Sequence, residues 1–260
     1  MKIDLTDVTY LIPVRLDSIV RLENLMLTVE LLLKNFETNI MILESTVYSN
    51  GIIQKLLENT VDYIFIEDKD MIFYRTKYLN MMTMRAKTPY IGIWDTDVIV
   101  PENQMLDSIE KLRQGFEIVY PYDGHFYDTS SVIRELYAQN KNIQFLLKNI
   151  DKMNLIYGDQ MKGGAMFVNR ASYIKAGMEN EKFYGWGPED FERYDRWTIL
   201  GLKIYQCAGP LFHLTHSRGS NSAFRSMEQA IKSNKELALT RFSSKEELLR
   251  EISNSAHDHP

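Results

Sequence analysis

Two carboxylates one residue apart interrupt an apolar run, Tyr90-Ile-Gly-Ile-Trp-Asp95-Thr-Asp97-Val-Ile-Val100. Unpaired charges in such a run would be costly to bury. Hard oxygen ligands suit Mg²⁺ or Mn²⁺, and an ion held there could neutralise a departing diphosphate. Spacing alone does not decide, because a second D-x-D, Asp68-Lys-Asp70, stands in polar sequence. His213-Leu-Thr-His216 places two of the chain's five histidines three residues apart. Two imidazoles can share one ion where the backbone turns, and they suit Mn, Zn or Fe better than Ca. By themselves they read more readily as two ordinary loop histidines.

A third constellation is Tyr184-Gly-Trp-Gly187-Pro-Glu189-Asp190-Phe-Glu192. Glycines beside Trp186 let backbone approach a ligand closely, and a flat indole suits the C–H face of a sugar ring. One of the two adjacent acids could act as a general base. The same residues also describe a tight turn, with the acids capping the helix that follows Pro188. Arg15, just after the first apolar run, and Arg75 with Lys77 stand where guanidinium and ammonium groups could meet diphosphate oxygens. The sequence holds no H-E-x-x-H, no cysteine cluster and no Walker loop, so a metallopeptidase, a zinc finger and a P-loop phosphohydrolase are disfavoured.

These residues need a scaffold, and the apolar runs supply one. Val8–Val14, Ile40–Leu43, Tyr63–Ile66, Tyr90–Trp94 and Ile118–Tyr120 read as buried strands. Between them lie helical patterns at Ser18–Asn35, Gly51–Asn59, Tyr74–Arg85 and Glu102–Gln114, the last opened by Pro101. This alternation predicts an α/β open, mostly parallel sheet, with ligands beyond the carboxyl ends of its strands. A polar helical region over Thr129–Lys152 and a Gly-rich strand-like segment over Gly158–Val168 follow. Leu202–His216 reads as strand then loop, Ser222–Ile252 as a charge-laced helical tail, and Ser253–Pro260 as a frayed end.

Composition agrees with a globular chain. The 260 residues are 45% hydrophobic and 25% charged, with a net charge of −5 that leaves no basic footprint for nucleic acid. A single cysteine, Cys207, excludes an internal disulfide framework. The N-terminal MKIDLTDVTYLIPV has no signal-peptide pattern, and no apolar run is long enough for an integral membrane segment. The expectation is a cytoplasmic protein.

In their order, these motifs resemble the β-1,4-galactosyltransferase family of metal-dependent inverting glycosyltransferases with the GT-A fold. The resemblance rests on Ile12-Pro13-Val14-Arg15, Phe73-Tyr-Arg75-Thr-Lys77-Tyr-Leu-Asn80, Trp94-Asp95-Thr-Asp97-Val98, Gly163-Gly164, Gly185-Trp186-Gly187-Pro188-Glu189-Asp190 and His216-Ser217-Arg218. It implies a uridine diphosphate site lined by Pro13, Arg15 and Arg75. Asp97 and His216 would be metal ligands, Asp95 would shape the site beside them, and Asp190 would be the base. Glu189 and Trp186, with Gly163, Gly164 and Gly187, would border donor sugar or acceptor. His213 stands where vertebrate members carry a ligating Met, which should keep the metal as Mn²⁺, with Mg²⁺ the alternative. Pro188 replaces a family glycine. Met161 stands where galactose-preferring members carry Tyr, which favours UDP-GalNAc or mixed use with UDP-Gal.

The resemblance further implies one catalytic domain over 1–221, divided near 120 into donor and acceptor halves, and a helical tail over 222–260. The acceptor would be a saccharide or a lipid-linked oligosaccharide. The setting would be bacterial surface-polysaccharide biosynthesis, peripheral at the inner membrane face when the acceptor is lipid-linked. The loop around Trp186 is expected to order when donor binds. Two rivals stand beside this reading: a retaining enzyme akin to the polypeptide N-acetylgalactosaminyltransferases, and a catalytically silent carbohydrate- or nucleotide-binding protein.

Overall fold

The computed structural model describes residues 2–217, 219 and 223–255. The elements run β1 (Ile3–Val14), α1 (Ile19–Asn35), β2 (Phe36–Thr46), α2 (Ile52–Leu56), β3 (Asp62–Glu67), α3 (Arg75–Arg85), β4 (Tyr90–Trp94), β5 (Val98–Ile99), α4 (Glu102–Arg113), β6 (Ile118–Tyr120) and β7 (Phe126–Asp128). Then follow α5 (Ser131–Asn140), α6 (Ile143–Lys148), β8 (Asn154–Leu155), β9 (Ala165–Asn169), α7 (Arg170–Lys175), α8 (Glu189–Leu200), β10 (Ile204–Gln206), β11 (Leu211–His213), α9 (Met227–Phe242) and α10 (Lys245–Ser255).

The main sheet has seven strands in the order β10-β6-β9-β4-β1-β2-β3. Four of its pairings are parallel, and the two made by β9 are antiparallel. The central strands are buried on both faces, as the continuous apolar sequences of Val8–Val14 and Tyr90–Trp94 require. β1 begins earlier than its apolar run, at Ile3, and its register against β2 shifts between Leu5 and Thr9. That irregularity breaks the hydrophobic pattern over the strand's first residues.

Four short strands form a second sheet, β5-β11-β7-β8, that meets the carboxyl end of β4. The link is the segment Asp95-Thr96-Asp97, pinned from three sides. Asp95 N–H donates to Gly164 O at 2.9 Å, and Leu214 N–H donates to Asp97 O at 2.8 Å. From α1, the Thr28 hydroxyl donates to Thr96 O at 3.0 Å. Every polar backbone atom named here is thereby satisfied in a buried setting.

Helix placement follows local signals. Ser18 caps α1 by accepting from Arg21 N–H. α4 starts after Pro101 with Glu102 in its first turn. The polar region after Thr129 breaks into α5 and α6 at Lys141, whose φ of 49° is left-handed, with Asn142 capping the second piece. The tail forms α9 and α10, which pack on α8: Thr240 donates to Glu192 Oε1 and Arg241 pairs with Asp195. α10 continues to Ser255, past the expected fraying point, because Ser253 remains tied to Leu249 O. Residues 256–260 of that expected end, and Arg218 of the His216-Ser217-Arg218 motif, lie outside the described residues.

Gly92 in β4 lies where Tyr10, Trp94 and Phe167 pack edge to face, and a Cβ there would meet Tyr10 Cδ1 at 2.9 Å and Phe167 Cε1 at 3.1 Å. Gly92→Ala is expected to lose about 1–3 kcal/mol by overpacking. The loss would appear as a lower urea midpoint at unchanged slope. A midpoint equal to the parent's would show that the aromatic rings have room to part.

Candidate active site

Beyond the carboxyl ends of β1 and β4 opens a cavity of about 450 Å³. Asp97, His213 and His216 sit together on one wall, with ligand atoms all within 4.8 Å of one another. His213 is the last residue of β11, and His216 lies three residues on in the irregular segment that follows. His213 Nδ1 is 2.7 Å from Asp128 Oδ1 on the neighbouring strand β7, and His216 Nδ1 is 2.8 Å from Ser217 O. An ionised carboxylate and a carbonyl can only accept, so both Nδ1 atoms carry the proton. The two Nε2 atoms are turned to Asp97, at 3.6 and 3.1 Å from its oxygens. Burial disfavours charge on Asp97, but His213, His216 and Arg21 outweigh it and hold the carboxyl well below the usual range.

One carboxylate and two imidazoles, each imidazole fixed from behind by an acceptor, is a donor set that fits a first-row divalent ion such as Mn²⁺. Soft thiolate ligands are absent from it. Asp95, the other acid of the motif, is not in the cluster. Arg75 donates to its Oδ1 at 2.7 Å. Burial raises the Asp95 carboxyl pKa, against the pull of Arg75 and with the push of Asp97 and Asp190.

On the other side of the cavity, Pro188 opens α8 and places Glu189 and Asp190 in its first turn. The helix-start and site readings of this segment hold together. Arg193 donates to Asp190 Oδ1 at 2.5 Å and, through its other terminal nitrogen, to Glu179 at 2.7 and 2.9 Å. Glu179 also accepts from Tyr173 OH. This buried chain fixes Asp190 by one oxygen. Its Oδ2 faces Gly163, where a Cβ would lie only 2.4 Å away, and Met161 Cε crowds the same point. Only glycine at 163 leaves the carboxylate where it is.

Glu189 differs from its neighbour. Its Oε2 is buried without a protein partner, and burial together with Asp190 raises its carboxyl to about 8. Its environment thus favours the protonated carboxyl at the cavity wall. Arg75 Nη1 is likewise buried and unpartnered. Asp95 and Asp190 keep that guanidinium charged against the cost of its burial.

Pro13, Arg15, Arg75, Asp95, Asp97, Met161, Gly164, Trp186, Gly187, Glu189, Asp190, His213 and His216 all line the one cavity, and Gly163 supports it from behind Asp190. Arg15 is more committed than expected: it donates to Ser45 O at 2.9 Å and Asp70 O at 2.8 Å and lies 3.4 Å from Asp68. The second D-x-D thus serves as a brace for the cavity wall, with Tyr184 OH donating to Asp70. Lys77 is exposed beside the Tyr74 ring and outside the cavity. Glu192 is held by Arg196 and Thr240.

Trp186 is 39% exposed, edge-on to Phe224 at 4.7 Å. Its loop is tied to α9: Gln229 Nε2 donates to Tyr184 O at 2.8 Å, and a Cβ on Gly185, whose φ is +83°, would strike that amide. Sequence reasoning missed Gln229, and it missed Arg21 and Asp128 at the metal cluster. Arg21, Asn24 and Thr28 share one face of α1, and Asn24 Nδ2 donates to Leu214 O at 2.7 Å. Polar residues at helical spacing on a helix's buried face were the available signal.

An α/β sheet of this order with a D-x-D loop at its switch point is the architecture of the GT-A glycosyltransferases. Over residues 146–218 the chain matches the family model described as the N-terminal domain of galactosyltransferase, so in this segment it is galactosyltransferase-like. Among solved structures it is similar to the catalytic domain of Drosophila β1,4-galactosyltransferase 7 in complex with xylobiose, at 15% identity and TM-score 0.53 over 85% of this chain and 76% of that one. A variant of that enzyme, in complex with manganese, UDP-Gal and xylobiose, matches at 14% identity and TM-score 0.52, covering 85% and 78%. Glucosyl-3-phosphoglycerate synthase of Mycobacterium tuberculosis, with Mn²⁺, UDP and phosphoglyceric acid, matches at 13% identity and TM-score 0.52, covering 91% and 78%. No curated protein sequence matches the chain. No helix among the described residues is long and apolar enough to cross a membrane.

Two outcomes follow from this geometry. Asp128→Asn should weaken Mn²⁺ binding roughly 10–100-fold, by releasing the His213 ring; unchanged Mn²⁺ affinity in a titration would show that the ring needs no such anchor. Glu189 binds its proton in the folded chain up to about pH 8 but in the unfolded chain only up to 4.5. It therefore contributes a loss of stability as pH rises through that window. Denaturation of Glu189→Gln should show a flatter pH dependence there and a gain over the parent at the alkaline end. Parallel curves would place the proton elsewhere.

Proposed function

We propose that this protein is a metal-dependent glycosyltransferase that moves Gal or GalNAc from a UDP-sugar to a saccharide hydroxyl with inversion at the anomeric carbon. The observation that carries this is the sharing of one cavity by the Asp97–His213–His216 cluster and by Asp190. A diphosphate on the first wall and an acceptor hydroxyl on the second would bracket a sugar between them. The galactosyltransferase-family segment and the UDP, manganese and saccharide complexes of structurally similar enzymes support the reading.

The residues divide the work as follows. Asp190, fixed at one oxygen by Arg193, takes the hydroxyl proton on its free oxygen. The acceptor oxygen forms its bond to the anomeric carbon as the bond from that carbon to the diphosphate breaks, and UDP leaves with the electron pair. An ion at Asp97, His213 and His216, Mn²⁺ or Mg²⁺, would supply charge neutralisation for the leaving diphosphate. Pro13, Arg15 and Arg75 shape the nucleotide side. Glu189 can donate its proton to a sugar or phosphate oxygen, and Trp186 offers a face to the donor or acceptor ring. Met161, beside Asp190 at Gly163, stands where galactose-preferring members of the resembled family carry Tyr, which favours UDP-GalNAc or mixed use.

We read residues 1–221 as the catalytic domain, donor side before about 120 and acceptor side after it. We read residues 222–260 as the tail, in which α9 braces the Trp186 loop through Gln229. A lipid-linked oligosaccharide of bacterial surface-polysaccharide synthesis suits the acceptor side, with the enzyme cytoplasmic and peripheral at the membrane. UDP release from a panel of UDP-sugars should be Mn²⁺-dependent and confined to UDP-GalNAc and UDP-Gal. Asp190→Asn should cut turnover by at least about 10²-fold while binding UDP normally. UDP binding without release from any donor would favour the silent binding protein. An Asp190→Asn variant with near-parent turnover would remove the base assignment.

A further inference from the structure

Arg21 lies in the first turn of α1 with its guanidinium beside the metal cluster. Asp17 accepts from Nε at 2.9 Å and from Nη2 at 3.3 Å, which fixes the plane of the fork. Nη1 is then left 3.5 Å from Asp97 Oδ2. Nη2 stands 3.4 Å from His216 Nδ1. That nitrogen already gives its proton to Ser217 O, so the guanidinium sits beside an N–H and gains no hydrogen bond there. The helix cannot carry Arg21 away, because Asn24 and Thr28 on the same face hold the backbone of both ligand loops.

The consequence is electrostatic. Arg21 and Asp97 side chains are 17% and 7% exposed, so solvent screens them poorly. A divalent ion entering alone competes with the guanidinium for Asp97 and is repelled by it at close range. A diphosphate changes the balance, since its oxygens accept from Nη1 while also meeting the ion. Arg15 is engaged by Ser45, Asp70 and Asp68, and Arg75 by Asp95. Arg75 keeps Nη1 unpartnered, but it stands at Asp95; Arg21 is the guanidinium set against Asp97 and His216, beside the ion and the anion together.

We propose that Arg21 is the residue that couples metal binding to diphosphate binding: it weakens the site for the bare ion and strengthens it for the ion with its diphosphate. This rests on the glycosyltransferase reading above. Coupling of this kind is reciprocal, so the ion must raise UDP affinity by the same factor.

The test is Mn²⁺ titration, followed by the electron paramagnetic resonance of free Mn²⁺, with and without UDP. In the parent, UDP should tighten Mn²⁺ binding by about tenfold or more. Arg21→Gln should bind Mn²⁺ alone more tightly than the parent, with most of the UDP effect gone. Arg21→Gln that binds Mn²⁺ alone no more tightly, or that keeps the full UDP effect, overturns the proposal. Should that variant fail to fold by circular dichroism, Arg21→Lys decides. It keeps the charge and loses the fork, so Mn²⁺ alone should bind as in the parent while the UDP effect shrinks; an undiminished UDP effect overturns the proposal. A parent chain that binds no UDP at all, with Mn²⁺ or without, overturns the glycosyltransferase reading itself and needs no variant to show it.

Discussion

A buried carboxylate at the end of an apolar strand is the constraint from which the rest of the site follows. Asp97 is 5% exposed, at the junction of two sheets, where an isolated negative charge would be untenable. Two imidazoles and one guanidinium surround it, drawn from β11, the loop after it and α1. Each is fixed in turn: His213 by Asp128, His216 by Ser217 O and Arg21 by Asp17. The site is therefore organised around the need to compensate one charge, and a divalent ion is the compensation that its donor atoms suit. The second sheet packs Ile99 and Phe212 with Ile133, Tyr137 and Leu146 of α5 and α6 in a small core of its own, and it brings β11 and β7 to this point.

The opposite wall obeys the same rule with other partners. Asp190 leans on Arg193, whose charge is balanced by Glu179. The two acids in the first turn of α8 then diverge. Asp190 has a cationic partner, and Glu189 has a buried oxygen with none and holds its proton to about pH 8. Adjacent carboxyl groups with different environments can take different roles, one accepting a proton and one donating a hydrogen bond. Gly163 makes the arrangement possible by having no side chain.

Much of this was legible in the sequence, because the signals were local. The central strands are continuous apolar runs, α1 and α4 start at Ser18 and Pro101, and the D-x-D at 95–97 stood out against the one at 68–70 by its apolar context. The residues left unread are those whose meaning comes from distant partners. Asp128 becomes a positioning group only because Leu211–His213 pairs in parallel with Phe126–Asp128, 85 residues away. Arg21 sits on an amphipathic helix, where an arginine is ordinarily a surface charge. β5, β7, β8 and β11 have two or three residues each, too few to show a period of two. Arg15 was legible as a site residue but not as one whose donors are already occupied by Ser45, Asp70 and Asp68.

The Trp186 loop shows how the tail alters a sequence-level expectation. Its glycines suggested a segment that orders on donor binding. In the folded chain, Gln229 of α9 already holds the Tyr184 carbonyl, and Phe224 packs against the indole. Opening the loop must therefore break contacts with the tail, so the helices after residue 222 belong to the energetics of the cavity.

The proposed reaction is a single displacement across the cavity, with the acceptor activated by Asp190 on the face opposite the diphosphate. The anomeric configuration of the first transferred or released sugar, read by proton NMR before mutarotation, tests this most directly. A β-configured product from an α-linked UDP-sugar is the predicted result. An α-configured product would contradict it and would place the chain with the retaining enzymes.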